Sequence, residues 1–203
     1  MCYLHNIGIN IKRLPSFLQT LNNHIIRTMT DSNSNDLVKI SFIGQPAVGK
    51  TTILKLLAEN TIGKMYIPTM GFDLKTVRFG NYFMKVWDFG GQKAYLKNYL
   101  PPYLKGSDIV FIVTDSTPRN VLSSKELIEF AREIVENDCP IIAIANKQDL
   151  AKNSGRMDPN RVGNVLQVKT VGLTAIKSAE RARLLSFIEK QLNKVLIRKR
   201  LNN

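Results

Sequence analysis

The sequence predicts an α/β domain: a six-stranded, mainly parallel sheet with one antiparallel hairpin and helices on both faces. Three observations carry that expectation. A glycine-rich turn, Gly44-Gln45-Pro46-Ala47-Val48-Gly49-Lys50-Thr51, joins an apolar run to a segment with helical spacing. Ile109 to Asp115 and Ile141 to Asn146 are short, predominantly apolar runs of the kind that form strands covered on both faces. Phe72 to Phe79 and Tyr82 to Asp88 flank a tight Gly80-Asn81 pair, which reads as a hairpin.

In chain order, Leu37 to Ile43 is the first strand, and Thr51 to Glu59 is a helix with Ile53, Leu54, Leu56 and Leu57 on one side. The hairpin supplies strands two and three. An amphipathic helix near Val121 to Val135 separates strands four and five. Lys169 to Thr174 is a weaker sixth strand, and the last helix is expected from about Ser178 to Ile197. The domain is therefore placed at residues 37–197, with a basic tail at 198–203. Ahead of it, residues 1–36 form an extension that closes in a polar hinge, Asp31 to Asp36. Leu4, Ile7, Ile11, Leu14, Leu18, Leu21 and Ile25 alternate three and four apart, as an apolar helical stripe does, and Pro15 divides it into two short helices. Three readings of the extension stay open: docking on a membrane surface or partner, packing onto the domain, and disorder, with Met29 as an alternative start.

The 203 residues, 44% hydrophobic and 22% charged, suit one soluble domain with an extension. Two cysteines, Cys2 and Cys139, are too few for a disulfide framework, and no stretch resembles a secretory leader, so a cytoplasmic setting is expected. No apolar run reaches the ~18 residues of a membrane span. The formal net charge of +13 fits anionic lipid, nucleic acid or acidic proteins and does not choose among them.

The chemistry lies in five segments. Gln45, Pro46, Ala47, Val48, Gly49, Lys50, Thr51 and Thr52 are expected to wrap phosphates with backbone N–H groups, a helix N-terminus and an ammonium. Asp88-Phe89-Gly90-Gly91-Gln92 follows the third strand: Asp88 holds a magnesium ion through water, the Gly91 N–H meets a γ-phosphate, and Gln92 orients the attacking water. Lys50, Gly91 and Gln92 are thus the catalytic candidates. Asn146-Lys147-Gln148-Asp149 follows the fifth strand, where the Asp149 carboxylate accepts from guanine N1–H and the N2 amino group. Adenine offers neither donor, so GTP is expected over ATP. Thr174-Ala175-Ile176 follows the sixth strand, with the Ala175 N–H aimed at guanine O6. Thr69 joins Thr51 as a magnesium ligand once a γ-phosphate is present.

Over about Leu37 to Leu196 the chain resembles the small GTPases of the Ras superfamily, and more closely the Arf branch. The resemblance rests on Ile67-Pro68-Thr69-Met70-Gly71-Phe72, on Trp87-Asp88-Phe89-Gly90-Gly91-Gln92 with its double glycine, and on Asn146-Lys147-Gln148-Asp149. It implies the P-loop NTPase small G domain, GTP/GDP and Mg2+ as ligands, slow hydrolysis, and a switch that recruits effectors under an exchange factor and an activating protein. Arf relatives also displace an N-terminal helix when the hairpin slides, which implies peripheral membrane contact through residues 1–30 and a link to membrane trafficking or organisation. The α subunits of heterotrimeric G proteins carry an arginine shortly before the switch threonine; Gly63-Lys64-Met65-Tyr66-Ile67-Pro68 has none. The chain departs from the pattern at Pro46, which offers no N–H and stiffens the turn. It begins Met1-Cys2-Tyr3, without the glycine that N-myristoylation needs, and ends without a prenylation box.

Two other function classes stay open on the sequence. One is a GTP-binding scaffold or receptor-type module with negligible hydrolysis. The other, nucleic-acid binding, lacks any interleaving of basic and aromatic residues. Lys190, Lys194, Arg198, Lys199 and Arg200 read as a solvated helix face or a lipid contact, Cys139 as a packing residue, and His5 and His24 lie outside every nucleotide segment.

Overall fold

In the computed structural model of the chain, residues 36–58, 72–79, 82–89, 101, 104–151 and 155–202 are described. The chain divides into two units, Met1–Asp36 and Leu37–Asn203. Residues 1–35 of the extension and the Gly80-Asn81 turn lie outside the described residues.

β1 (Asp36–Gly44) feeds the glycine-rich turn and α1 (Lys50–Leu57). β2 (Phe72–Phe79) and β3 (Tyr82–Phe89) pair antiparallel, Phe72 opposite Phe89 and Phe79 opposite Tyr82, as the hairpin pattern predicts. β4 (Ile109–Thr114), α2 (Pro118–Ile134), β5 (Ile141–Ala145), α3 (Pro159–Leu166), β6 (Thr170–Gly172) and α4 (Glu180–Asn202) complete the order. The six strands form one sheet in the order β2-β3-β1-β4-β5-β6. β1, β4, β5 and β6 run parallel, with Ile40 opposite Ile109, Val110 opposite Ile141 and Ala143 opposite Thr170.

Alternation along the strands divides the core. Val38, Ile40 and Phe42 of β1 with Phe111 and Val113 of β4 face one side, where Ile53, Leu54 and Leu57 of α1 and Leu184, Ile188 and Leu192 of α4 cover them. Ile43, Val110 and Ile112 face the other, under Val121, Ile128 and Ala131 of α2 and Val162 and Leu166 of α3. A sheet covered on both faces explains why β4 is buried at every position.

One helix and several helix ends differ from the sequence expectation. α3 is new: Asp158 caps it by accepting from the N–H groups of Asn160 and Arg161, at 2.9 and 3.0 Å, and Pro159 opens the first turn. The Asp158-Pro159 pair was its sequence signal. α4 continues to Asn202 instead of stopping near Ile197, so residues 198–202 are helical. Lys199 explains the extra turn, since its ammonium donates to the buried Asp108 carboxylate, which also accepts the Lys39 N–H at 2.7 Å. α1 ends at Leu57, two residues early, where the Arg181 guanidinium of α4 donates to the Leu57 carbonyl.

Candidate functional site

Because β1, β4, β5 and β6 are parallel and in register, the loops after Gly44, Thr114, Ala145 and Gly172 leave the same edge of the sheet. That geometry converts four distant stretches of sequence into one surface.

The turn after β1 needs both its glycines. A Cβ on Gly44 would overlap the Val113 carbonyl, and one on Gly49 would overlap the Asn146 amide. Gly49 also stands at φ 102°, which side chains rarely adopt. Lys50 is buried, and its ammonium donates to the carbonyls of Gly44 and Gln45 at 3.1 and 3.0 Å, so the charge sits inside the curve of the loop. α1 starts here with no side-chain cap and no carboxylate in its first turn. A buried cation and an uncapped helix start in a cradle of this shape fit a polyphosphate. Thr51 and Thr52 lie in that first turn, half-buried, while Pro46 and Ala47 form the exposed outer bend. Val48 is buried in the core beneath it.

Asn146, only 2% exposed, holds three loops together. Its Nδ2 donates to the Val48 carbonyl at 2.9 Å, its Oδ1 accepts the Ala175 N–H at 3.1 Å, and its backbone carbonyl accepts from Ser116 Oγ at 2.8 Å. Next to it, the Lys147 ammonium donates to the Ala47 carbonyl at 2.8 Å. The Asn146-Lys147-Gln148-Asp149 segment is thereby tied to the glycine-rich loop by two side chains. The Ala175 N–H, expected to point at guanine O6, is engaged by Asn146 here. Asp149 is exposed at the surface. Thr174 and Ala175 are buried and Ile176 is exposed.

The loops after β4 and β5 supply residues that sequence reasoning missed. Gln148 Nε2 donates to Ser116 Oγ at 2.8 Å and to the Met157 carbonyl at 3.2 Å. Asp115 accepts from Thr117 N, Thr117 Oγ1 and Asn120 Nδ2 at 3.1, 2.8 and 2.9 Å. Burial acts to raise the Asp115 pKa, but those hydrogen bonds and the Lys147 charge outweigh it and hold the carboxyl below its ordinary value. Asp115-Ser116-Thr117-Pro118 directly after an apolar strand carried the signal of a capped helix start. Among the described residues four non-glycines have positive φ, and three of them, Ala47, Ser116 and Lys147, lie in these loops. Such conformations cost on the order of 1 kcal/mol each and concentrate where a site over-determines the backbone.

Of the other expected site residues, Asp88 is placed by its backbone at the carboxyl end of β3, opposite Asp73. Thr69, Gly91 and Gln92 lie outside the described residues. No described helix is long and apolar enough to cross a membrane.

Comparison with known proteins identifies the family. The family profile described as "Arf: ADP-ribosylation factor family" matches residues 23–199. ADP-ribosylation factor-like protein 3 of Chlamydomonas reinhardtii is 33% identical over 135 residues, covering 66% of this chain and 73% of that protein. ADP-ribosylation factor-like protein 2 of Arabidopsis thaliana is 33% identical over 137 residues, 66% of this chain and 71% of that protein. The solved structure of the Arl6 BBS3 small GTPase from Trypanosoma brucei, with a bound nucleotide analogue, GppNp, superposes with a TM-score of 0.63 at 19% identity, over 78% of this chain and 99% of that one. At that identity it shows the shared fold. The chain therefore belongs to the ADP-ribosylation factor family of small GTPases, a GTP-hydrolysing molecular switch that binds GTP and GDP with Mg2+.

Proposed function

We propose that the loop from Gln45 to Thr52 holds the β- and γ-phosphates, that Asp149 reads guanine, and that Asn146 and Lys147 keep the two grips at a fixed separation. The observation that carries this reading is the pair of side-chain bonds from Asn146 and Lys147 to the Val48 and Ala47 carbonyls. Lys50 neutralises phosphate charge as it builds in the transition state, and the first-turn N–H groups of α1 add their dipole. Thr51, with Thr69 and a water held by Asp88, would hold the magnesium ion, which supplies further charge neutralisation at the phosphates. Gln92 orients the attacking water, and the Gly91 N–H senses the γ-phosphate. With no arginine in 63–68 to complete the charge balance, turnover is slow until an activating protein supplies one, worth roughly 10³ to 10⁵ in rate. An exchange factor resets the switch and effectors bind its GTP form. Residues 1–30 bring it to membranes, in trafficking or membrane organisation, from the cytoplasm.

Nucleotide titration with Asp149→Asn tests the site. The amide turns one acceptor into a donor, so GTP affinity should fall roughly 10² to 10⁴-fold while xanthosine triphosphate, with a carbonyl at C2, gains. An unchanged GTP-to-ATP ratio in this variant would remove Asp149 from the reading.

A further inference from the structure

The last turns of α4 carry an outward face that the nucleotide chemistry does not use. From Lys190 to Asn203 the chain holds five cations and no carboxylate. At 100° per residue, Lys190, Lys194, Ile197 and Leu201 fall within an arc of about 60°, opposite the buried Ile188, Leu192 and Val195. Lys190, Lys194 and Arg198 are exposed, and Ile197 and Leu201 are 58% and 79% exposed on the same side. Lys199 is turned away, toward Asp108. A third lysine joins the face: Lys169 Nζ donates to Gln191 Oε1 at 3.0 Å and lies 5.2 Å from the centre of the Phe187 ring. Burial, then the charges of Lys194 and Lys190, push its pKa down. Three like charges are therefore gathered closely enough to repel one another, and the two lysines four apart on the helix destabilise it further.

We propose that this face of α4 docks on an anionic lipid surface, with Lys169, Lys190, Lys194 and Arg198 meeting headgroup phosphates while Ile197 and Leu201 enter the interfacial layer. Charge complementarity selects the occupant class, because only an anion relieves the repulsion. Exposed aliphatic residues between the cations select a lipid interface over a nucleic acid, which would reward aromatic stacking instead. Lys199 meets Asp108 just before β4, at the sheet edge remote from the phosphate loop, so the docked face leaves the nucleotide site open. Binding through it is consequently the same with GTP and GDP, and it does not depend on the site assignments above.

The test is co-sedimentation of the full chain with vesicles of phosphatidylcholine alone and with 30% phosphatidylserine, at low and high salt. At about fivefold per charge, Lys190→Gln with Lys194→Gln should weaken binding to the anionic vesicles about 25-fold. Ile197→Ser with Leu201→Ser should weaken it roughly tenfold and leave its salt dependence intact. Lys125→Gln with Arg132→Gln, an equal charge loss on exposed positions of α2, should change it less than about twofold. In Ile197→Trp, brominated lipid should quench fluorescence beyond that of the parent chain, whose one tryptophan is Trp87. Equal losses in both charge pairs, no binding to anionic vesicles at low salt, or a loss of RNA binding with vesicle binding unchanged would each overturn the proposal. Melting temperatures of the variants should stay level or rise, since every replaced side chain is exposed and two of the lysines repel.

Discussion

Asn146 shows how a recognition motif can serve as a structural strut. Its side-chain amide donates to one loop and accepts from another while almost wholly buried. Asn146→Ala would leave the Val48 carbonyl and the Ala175 N–H without that partner, at roughly 1–3 kcal/mol apiece. Urea unfolding should show a loss of about 2–6 kcal/mol, and GTP affinity should fall with it. Gly49 belongs to the same junction: Gly49→Ala places a Cβ on the Asn146 amide at a φ of 102°, and should cost at least ~2 kcal/mol by the same measurement. The glycine-rich motif identifies Gly49 from sequence, because its spacing is a local property. Asn146 as a strut was not legible, since its partners are 98 and 29 residues away.

Among the elements, α2 depends most on its first turn. Thr117 accepts from the Asn120 N–H at 3.4 Å, a long cap, and Asp115 reinforces it with three shorter bonds to Thr117 and Asn120. Asp115→Asn should cost about 1 kcal/mol at neutral pH. The folded pKa is lowered from an ordinary value of 3.8, so the ionised carboxylate adds stability that is complete above that ordinary value and is lost as pH falls through the folded pKa. Thermal melts of the two proteins should therefore differ at pH 5 to 7 and converge in strong acid; a gap that widened on acidification would contradict the assignment. The six strands and the helices α1, α2 and α4 were readable from periodicity, and β2 matches its expected bounds, whereas the short α3 was not read. Ends were less readable: α4 runs past Ile197 because Lys199 finds Asp108, a partner 91 residues away.

At the scale of the molecule, two apolar layers grip one sheet. Phe42 of β1 and Phe111 of β4 stack with ring centroids 5.0 Å apart at 28°, fully buried, beneath the layer formed with α1 and α4. Phe42→Ala should lower unfolding free energy by about 3–5 kcal/mol and melt the domain cooperatively, with nucleotide loops and core failing together because β1 carries both. The Lys199 tie is weaker, since the lysine is 48% exposed and solvent screens it. Cys139 is inert at this level, its thiol pushed up to about 12 by burial first and by Asp108, Asp138 and Glu136 next.

From sequence alone came the α/β class, the strand order along the chain, the glycine-rich loop, the Asn146-Lys147-Gln148-Asp149 motif and the family resemblance, because alternation, glycine spacing and short motifs are written within a few consecutive residues. Only the tertiary structure decided that Asn146 and Lys147 hold the base segment to the phosphate loop, that Asp115, Ser116 and Gln148 buttress them, and that α4 gathers Lys169, Lys190 and Lys194 on one face. Those relations depend on which strands lie side by side, and hydrogen bonds and charges act across space with no regard for separation in sequence.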